Sequence, residues 1–79
     1  MAQGQNMNGI KENSHLQKLL DDSLKKYSDS DFNNSKKIAL QLLEESFKSK
    51  SPFFSANAYN VMAMNDEAVT DYVSAKENI

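Results

Sequence analysis

Glycine is missing from almost the whole of this chain, and that absence limits its possible folds. Both glycines, Gly4 and Gly9, lie within the first nine residues, and the stretch from Ile10 to Ile79 contains only one proline, Pro52. A β-rich fold needs turn residues with positive φ about every eight to twelve positions, and glycine supplies most of them. The sequence therefore predicts an all-α fold in which short polar turns join the helices.

The first residues differ in composition from the rest. The segment MAQGQNMNG is polar, rich in Gln and Asn, and shows no apolar periodicity. We expect residues 1–12 to be a disordered tail or a cloning remnant, and residues 13–79 to form a single small helical domain. The chain contains no cysteine. Because no disulfide is available to reinforce so thin a core, stability must come from helix packing, from self-association or from a partner.

Capping signals divide the chain into four helices. Ser14 and Gln17 have capping-box spacing, which predicts the start of the first helix, and a polar turn at 28–31 separates it from the second. Ser51-Pro52 predicts the start of the third helix, and Asn65 is expected to cap the fourth. These elements predict four short antiparallel helices, that is, two helical hairpins. The expected apolar stripes of the first, second and fourth helices are Leu16, Leu19, Leu20, Leu24 and Tyr27; Ser35, Ile38, Ala39, Leu42, Leu43, Ser46 and Phe47; and Val69, Tyr72, Val73 and Ile79.

Charge and hydropathy exclude some classes of protein. The net charge is −2, and all nine basic residues are lysines. Nucleic-acid binding is therefore disfavoured, because arginine is the side chain best suited to bidentate contact with phosphate and guanine. No apolar run has the length that spans a bilayer, and the N-terminus lacks the pattern of a signal peptide. We expect a cytoplasmic protein, with the nucleus as the alternative, and no membrane partner.

One calcium-like pattern is present but incomplete. Asp29, Asp31 and Asn33 alternate as the first ligands of a calcium loop do. The loop would also need a glycine at Asn34 and a bidentate glutamate at Leu40. We therefore expect a turn between helices and no bound metal.

No constellation for catalysis is evident. His15 is the only histidine, it has no evident partner, and no serine lies in a nucleophile motif. We expect no enzymatic activity, no cofactor and no small-molecule substrate. Any activity would need a site completed by another subunit.

The third helix carries the strongest functional signal. No charged residue occurs from Ser51 through Asn65, which indicates burial on most sides, and methionine adapts well to irregular contact surfaces. These apolar side chains form either the core of a small domain or an interaction surface. The sequence thus predicts a helical protein–protein interaction or oligomerisation module, which binds a partner or a second copy. The candidate surface residues are Phe53, Phe54, Tyr59, Met62 and Met64.

The alternative function is a small helix-turn-helix-type DNA-associated regulatory protein. It would require a basic face made of Lys36, Lys37, Lys48 and Lys50.

The segment 36–63, KKIALQLLEESFKSKSPFFSANAYNVMA, resembles a junction between tetratricopeptide repeats. The residues that carry the resemblance are Ala39, Leu43 and Ser46 in the second helix, Pro52 at the boundary, and Ala58, Tyr59, Met62 and Ala63 in the third. Ala63 stands where the family usually has glycine. The resemblance implies helical hairpins that bind peptides or proteins in a concave groove. It also implies association with further repeats or with copies of the chain, since about three repeats are needed for a stable solenoid.

Overall fold

A computed structural model describes the backbone of residues 2–77 and the side chains of residues 13–77. In this part of the chain three α-helices follow one another: α1 (Ala2–Ser28), α2 (Phe32–Lys48) and α3 (Pro52–Glu77). The all-α fold is confirmed, whereas the expectation of four helices is wrong. The boundary between a tail at 1–12 and a domain at 13–79 stays a prediction. The side chains of residues 1–12, and all of Met1, Asn78 and Ile79, lie outside the described residues.

The expected third and fourth helices are one continuous helix, because Asn65 does not cap. Its side chain is only 1% exposed, and its Nδ2 donates to the Oγ of Ser35 on α2 and to the carbonyl of Val61 one turn earlier. Neither glycine nor proline follows Pro52, and asparagine inside a helix costs less than about 0.7 kcal/mol relative to alanine. Its Oδ1, the atom with which an N-cap accepts a backbone N–H, is buried and has no hydrogen-bond partner among the described residues.

The predicted start of α1 at Ser14 is also wrong. Ser14 lies inside α1, and the amide of Gln17 donates to Asp21 one turn later, over 2.9 Å. Gln17 therefore does not form a capping box with Ser14; its side chain pairs with Asp21 at i+4 inside the helix.

Two equivalent three-residue turns join the helices. The middle residue of each turn, Ser30 or Lys50, has a positive φ of 63° or 53°. In each turn its N–H bonds to the carbonyl three residues earlier, and the next N–H bonds to the carbonyl five residues earlier. This pattern is the Schellman motif, in which glycine usually takes the left-handed position. The chain therefore stops its helices without glycine, at the cost of strain at two residues.

The core lies on both sides of α2, which packs against α1 and against α3, whereas α1 and α3 share few contacts. Leu16, Leu42 and Val61, one from each helix, are at most 2% exposed. Ala39 and Ala58 are fully buried, and their small side chains let the helices approach closely. The buried apolar residues are Leu16, Leu19, Leu20, Ala39, Leu42, Phe54, Ala58 and Val61.

A line of hydrogen bonds crosses this core. Asn65 Nδ2 donates to Ser35 Oγ over 2.8 Å, and Ser35 Oγ donates to the carbonyl of Ser23 on α1 over 2.7 Å. Near the second turn, the hydroxyls of Ser46 and Ser55 lie 2.7 Å apart and join α2 to α3. Because buried polar groups need partners, these bonds restrict how the helices can slide past one another.

Candidate interaction surface

The charge-free part of α3 is not buried on most sides, contrary to the expectation from its composition. One stripe of it packs into the core, and the opposite side faces solvent. This exposed side, called the uncharged face below, is made of Pro52, Ala56, Tyr59, Asn60 and Ala63. At about 100° per residue, these positions follow one another along a single side of the helix. α3 thus presents to solvent a side without a single charge for three turns.

The exposed sides of the other helices differ sharply from the uncharged face. Both helices carry charges of both signs, as solvated helix surfaces usually do. The exposed charged residues are Lys18, Asp21, Asp22 and Lys25 on α1, and Lys37, Glu44 and Lys48 on α2. Depletion of charge together with aromatic side chains is typical of the centre of a protein interface. α3 is therefore the helix of this chain whose exposed side has the composition of an interface.

An aromatic pair forms the edge of the uncharged face on the α2 side. The rings of Phe47 and Tyr59 meet edge to face with centroids 6.4 Å apart, and 56% and 55% of these residues are exposed. A shallow apolar cleft lies beside them and is also lined by Lys50 and Ala56. Leu40 lies on the same side of α2, seven residues before Phe47, and is exposed as well. Aromatic and leucine side chains thus extend the uncharged face across α2.

The five residues predicted from sequence do not form one surface. Tyr59 and Met62 lie on the side of α3 that faces α2, where Met62 packs partly buried against the core. Phe53 lies on the opposite side, in a groove beside α1, and Met64 follows it on that side three turns later. Phe54 is 7% exposed and belongs to the core. Two of the five, Phe53 and Tyr59, are largely exposed, and they point away from each other.

Phe47 and Leu40 are surface residues that the sequence reasoning did not select. Phe47 was assigned to the buried stripe of the second helix, and only its pairing with Tyr59 across the turn reveals its place. The signal that was available is helical register. Leu40 and Phe47 lie about 110–130° from the centre of the buried stripe Ser35, Ala39, Leu42 and Ser46, on its α3 side.

A second exposed apolar patch lies on the last part of α3. Val69, Tyr72 and Val73 are 42%, 66% and 45% exposed, although their spacing predicted a buried stripe. Phe32 and Ser30 line a groove beside Val69 and Tyr72. α2 begins at Phe32, beside Val69, and every residue from 69 to 77 is exposed, so little of the other helices covers this part of α3.

The lysines of the DNA-binding alternative do not gather on one face. Lys36 bonds to Asp66 of α3 over 2.8 Å. Lys37 and Lys48 lie on the solvent side of α2 with Glu44 between them, and Lys50 lies in the second turn. A phosphate backbone requires a continuous positive surface, which this arrangement lacks. The alternative stays an untested prediction.

His15 has a partner that the sequence did not reveal. Its Nε2 lies within hydrogen-bond distance of Glu45 Oε1 on α2. The hydrogen bond that Gln41 donates to Glu45, and after it the bond with His15, hold the pKa of the Glu45 carboxyl below its ordinary value. Similarly, the hydrogen bond from Asn34 lowers the pKa of Asp31 in the first turn. These polar groups join α1 to α2 and stabilise the first turn.

Among the residues that the structure describes, no cluster of three or more His, Cys, Asp or Glu side chains has the arrangement of a metal site. Within the same residues, every helix is too short or too polar to cross a bilayer.

Comparison of the chain with protein-family models, with curated proteins and with solved structures found no match. The uncharged face and its aromatic edge are therefore the features from which a function can be inferred.

Proposed function

We propose that this chain is a non-enzymatic helical module for protein–protein interaction, and that its partner binds to the uncharged face of α3. The observation that carries the proposal is the contrast between the helices. α1 and α2 expose charges of both signs, whereas α3 exposes none between Ser51 and Asn65. Exposed apolar surface without charge is costly in water and is usually retained where another molecule covers it.

The two aromatic side chains at the edge of the uncharged face are expected to contribute most of the binding energy. Tyr59 and Phe47 together expose two large rings, and tyrosine is among the residues that most often dominate interfaces. Met62 lies one turn from Tyr59 and supplies an adaptable apolar contact at the same edge. Phe53 borders the groove on the α1 side, and Met64 lies three turns later on that same side, so both lie outside the proposed surface.

The proposed kinship with tetratricopeptide repeats agrees with the packing of α2 and α3. The two helices run antiparallel with fully buried Ala39 and Ala58 between them, and Pro52 occupies the first position of α3. For the compartment we propose the cytoplasm, with the nucleus as the alternative. A chain without cysteine is suited to a reducing environment.

The test is photo-crosslinking from the proposed surface in an extract of the native cells. A photoreactive phenylalanine analogue replaces Tyr59 in one sample and Lys25, on the solvent side of α1, in the control. We expect protein adducts from position 59, and excess unlabelled wild-type chain should suppress those formed with any protein other than the chain itself. The Asn60→Glu variant, which places a charge at the centre of the uncharged face, should fail to suppress them. Equal crosslinking from positions 59 and 25 would contradict the proposal.

A further inference from the structure

The uncharged face of α3 is bounded by opposite charges at its two ends. Lys50 lines the cleft beside Ala56 and Tyr59 at the end where α3 begins. Glu67 follows Ala63 by one helical turn, is exposed, and lies on the same side of the helix. The face therefore has a positive end and a negative end, with three uncharged turns between them.

This arrangement of charges is complementary to itself when the α3 helices of two copies pack antiparallel. The midpoint between Ala56 and Ala63 falls between Tyr59 and Asn60. A two-fold axis at this point places Ala56 of one copy opposite Ala63 of the other. It also places Glu67 opposite position 52 of the other copy, within two residues of Lys50. A parallel pairing would instead bring Lys50 to Lys50 and Glu67 to Glu67, which like-charge repulsion disfavours.

We infer that the occupant of the uncharged face is a second copy of this chain, bound antiparallel along α3 in a two-fold dimer. The inference rests on the proposed function and names its partner. Two-fold dimers use the same patch on both copies, so a patch with opposite charges at its ends forms both ion pairs at once. The small side chains of Ala56 and Ala63 let the two helices approach closely, and Tyr59 of each copy is covered by the other.

The test exchanges the charges and measures the dimer Kd by sedimentation equilibrium. In Lys50→Glu and in Glu67→Lys, two attractive contacts become two repulsive ones. Exposed pairs are worth up to about 1 kcal/mol each, and each variant also introduces repulsion, so we expect a Kd about tenfold higher for each variant. The double variant K50E/E67K restores both attractions and should return the Kd to within a few-fold of the wild type.

Mixing the two single variants provides the sharpest test of the antiparallel arrangement. In a dimer of one Lys50→Glu copy and one Glu67→Lys copy, both contacts are attractive. The equimolar mixture should therefore dimerise about as tightly as the wild type, while neither variant does so alone. Lys25→Glu changes a lysine on the solvent side of α1 and is the matched control, for which the Kd should not change. Far-ultraviolet circular dichroism verifies that each variant retains its helices.

Two results would overturn the inference. One is a wild-type chain that stays monomeric up to about 1 mM, at the weak end of measurable association. The other is a dimer whose Kd responds to the charge exchanges no more than to Lys25→Glu. If the purified chain is monomeric and position 59 still crosslinks a different protein in the extract, the proposed function stands and the second copy is excluded. If position 59 crosslinks nothing above the control, the proposed function itself fails.

Discussion

Asn65 on α3 donates a hydrogen bond from its Nδ2 to the Oγ of Ser35 on α2, although the two residues are 30 positions apart in the sequence. The hydroxyl of Ser35 in turn donates a hydrogen bond to the carbonyl of Ser23, so one line of polar groups joins all three helices. The Oδ1 of Asn65 is buried and has no hydrogen-bond partner among the described residues. Since a buried acceptor without a donor is costly, we expect Asn65 to fix the register of α3 more than to add stability.

Asn65→Leu tests this role. Leucine has a similar branched shape and removes the unpaired Oδ1, so the free energy of unfolding should fall by less than about 1 kcal/mol or should rise. Ser35→Ala should cost about 1–3 kcal/mol in the wild type, because it leaves a buried N–H of Asn65 unpaired. In the Asn65→Leu background the same substitution should cost less. Urea denaturation gives all four values, and equal costs of Ser35→Ala in the two backgrounds would show that Asn65 and Ser35 are not coupled.

Glycine at the strained turn positions should stabilise the chain. Ser30 and Lys50 have positive φ, which costs a residue with a Cβ about 1–2 kcal/mol relative to its preferred conformations. Ser30→Gly and Lys50→Gly should each gain up to about 1 kcal/mol, equivalent to about 4–8 °C in Tm for a domain of this size. Ser49→Gly is the control, because Ser49 lies in the same turn with a φ of −87°. Thermal melts in which Ser49→Gly gains as much as Lys50→Gly would disprove the explanation.

The adjacent phenylalanines of α3 should respond very differently to truncation. Phe54 is 7% exposed and Phe53 is 65% exposed, although their rings touch edge to face with centroids 5.1 Å apart. Phe54→Ala should cost about 3–5 kcal/mol by opening a cavity in the core. Phe53→Ala should cost no more than about 1.5 kcal/mol, the most that an aromatic pair contributes. Chemical denaturation measures both, and similar losses would mean that the two rings are equally buried.

Acid should weaken the junction of α1 and α2. The pKa of Glu45 in the folded chain lies below its ordinary value, chiefly because Gln41 and then His15 bind its ionised form. Its contribution to stability is therefore present above the ordinary glutamate pKa of about 4.3 and is lost as the pH falls through the lower folded value. Glu45→Gln should flatten the acid limb of the stability curve, by a small amount because the site is solvated.

The neighbouring substitution Glu44→Gln removes the same charge from the solvent side of α2. It serves as the control for Glu45→Gln, with the free energy of unfolding measured between pH 3 and 7 or so. A Glu44→Gln chain whose acid limb flattens more than that of Glu45→Gln would contradict the assignment.

Periodicity alone predicted much of the core. The spacing of Leu16, Leu19 and Leu20 placed them on the buried side of α1, and they are buried. In α2, register selected Ser35 and Ser46 together with Ala39 and Leu42, and all four are buried. A helix must turn one side toward its neighbours, so a repeat of 3.6 residues is readable without any tertiary information.

The polar core residues and the turns could not be predicted in the same way. Asn65 has the residue type of a cap, and only the proximity of Ser35 across the core makes it an interior residue. The left-handed conformations at Ser30 and Lys50 belong to residue types that rarely adopt them. On the candidate surface, composition could not distinguish buried Phe54 from exposed Phe53, since the two differ only by the direction in which consecutive helical residues point.

The order in which the helices pack has a consequence for how the chain folds. In the described residues, α2 contacts the helix before it and the helix after it, and most contacts therefore join segments that are neighbours along the chain. Bringing such segments together closes only short loops, which carries a small entropic barrier. Helical proteins with mainly local contacts fold within microseconds to milliseconds. A stopped-flow or temperature-jump trace of this chain should relax on that timescale, with α2 as the template on which the other two helices assemble.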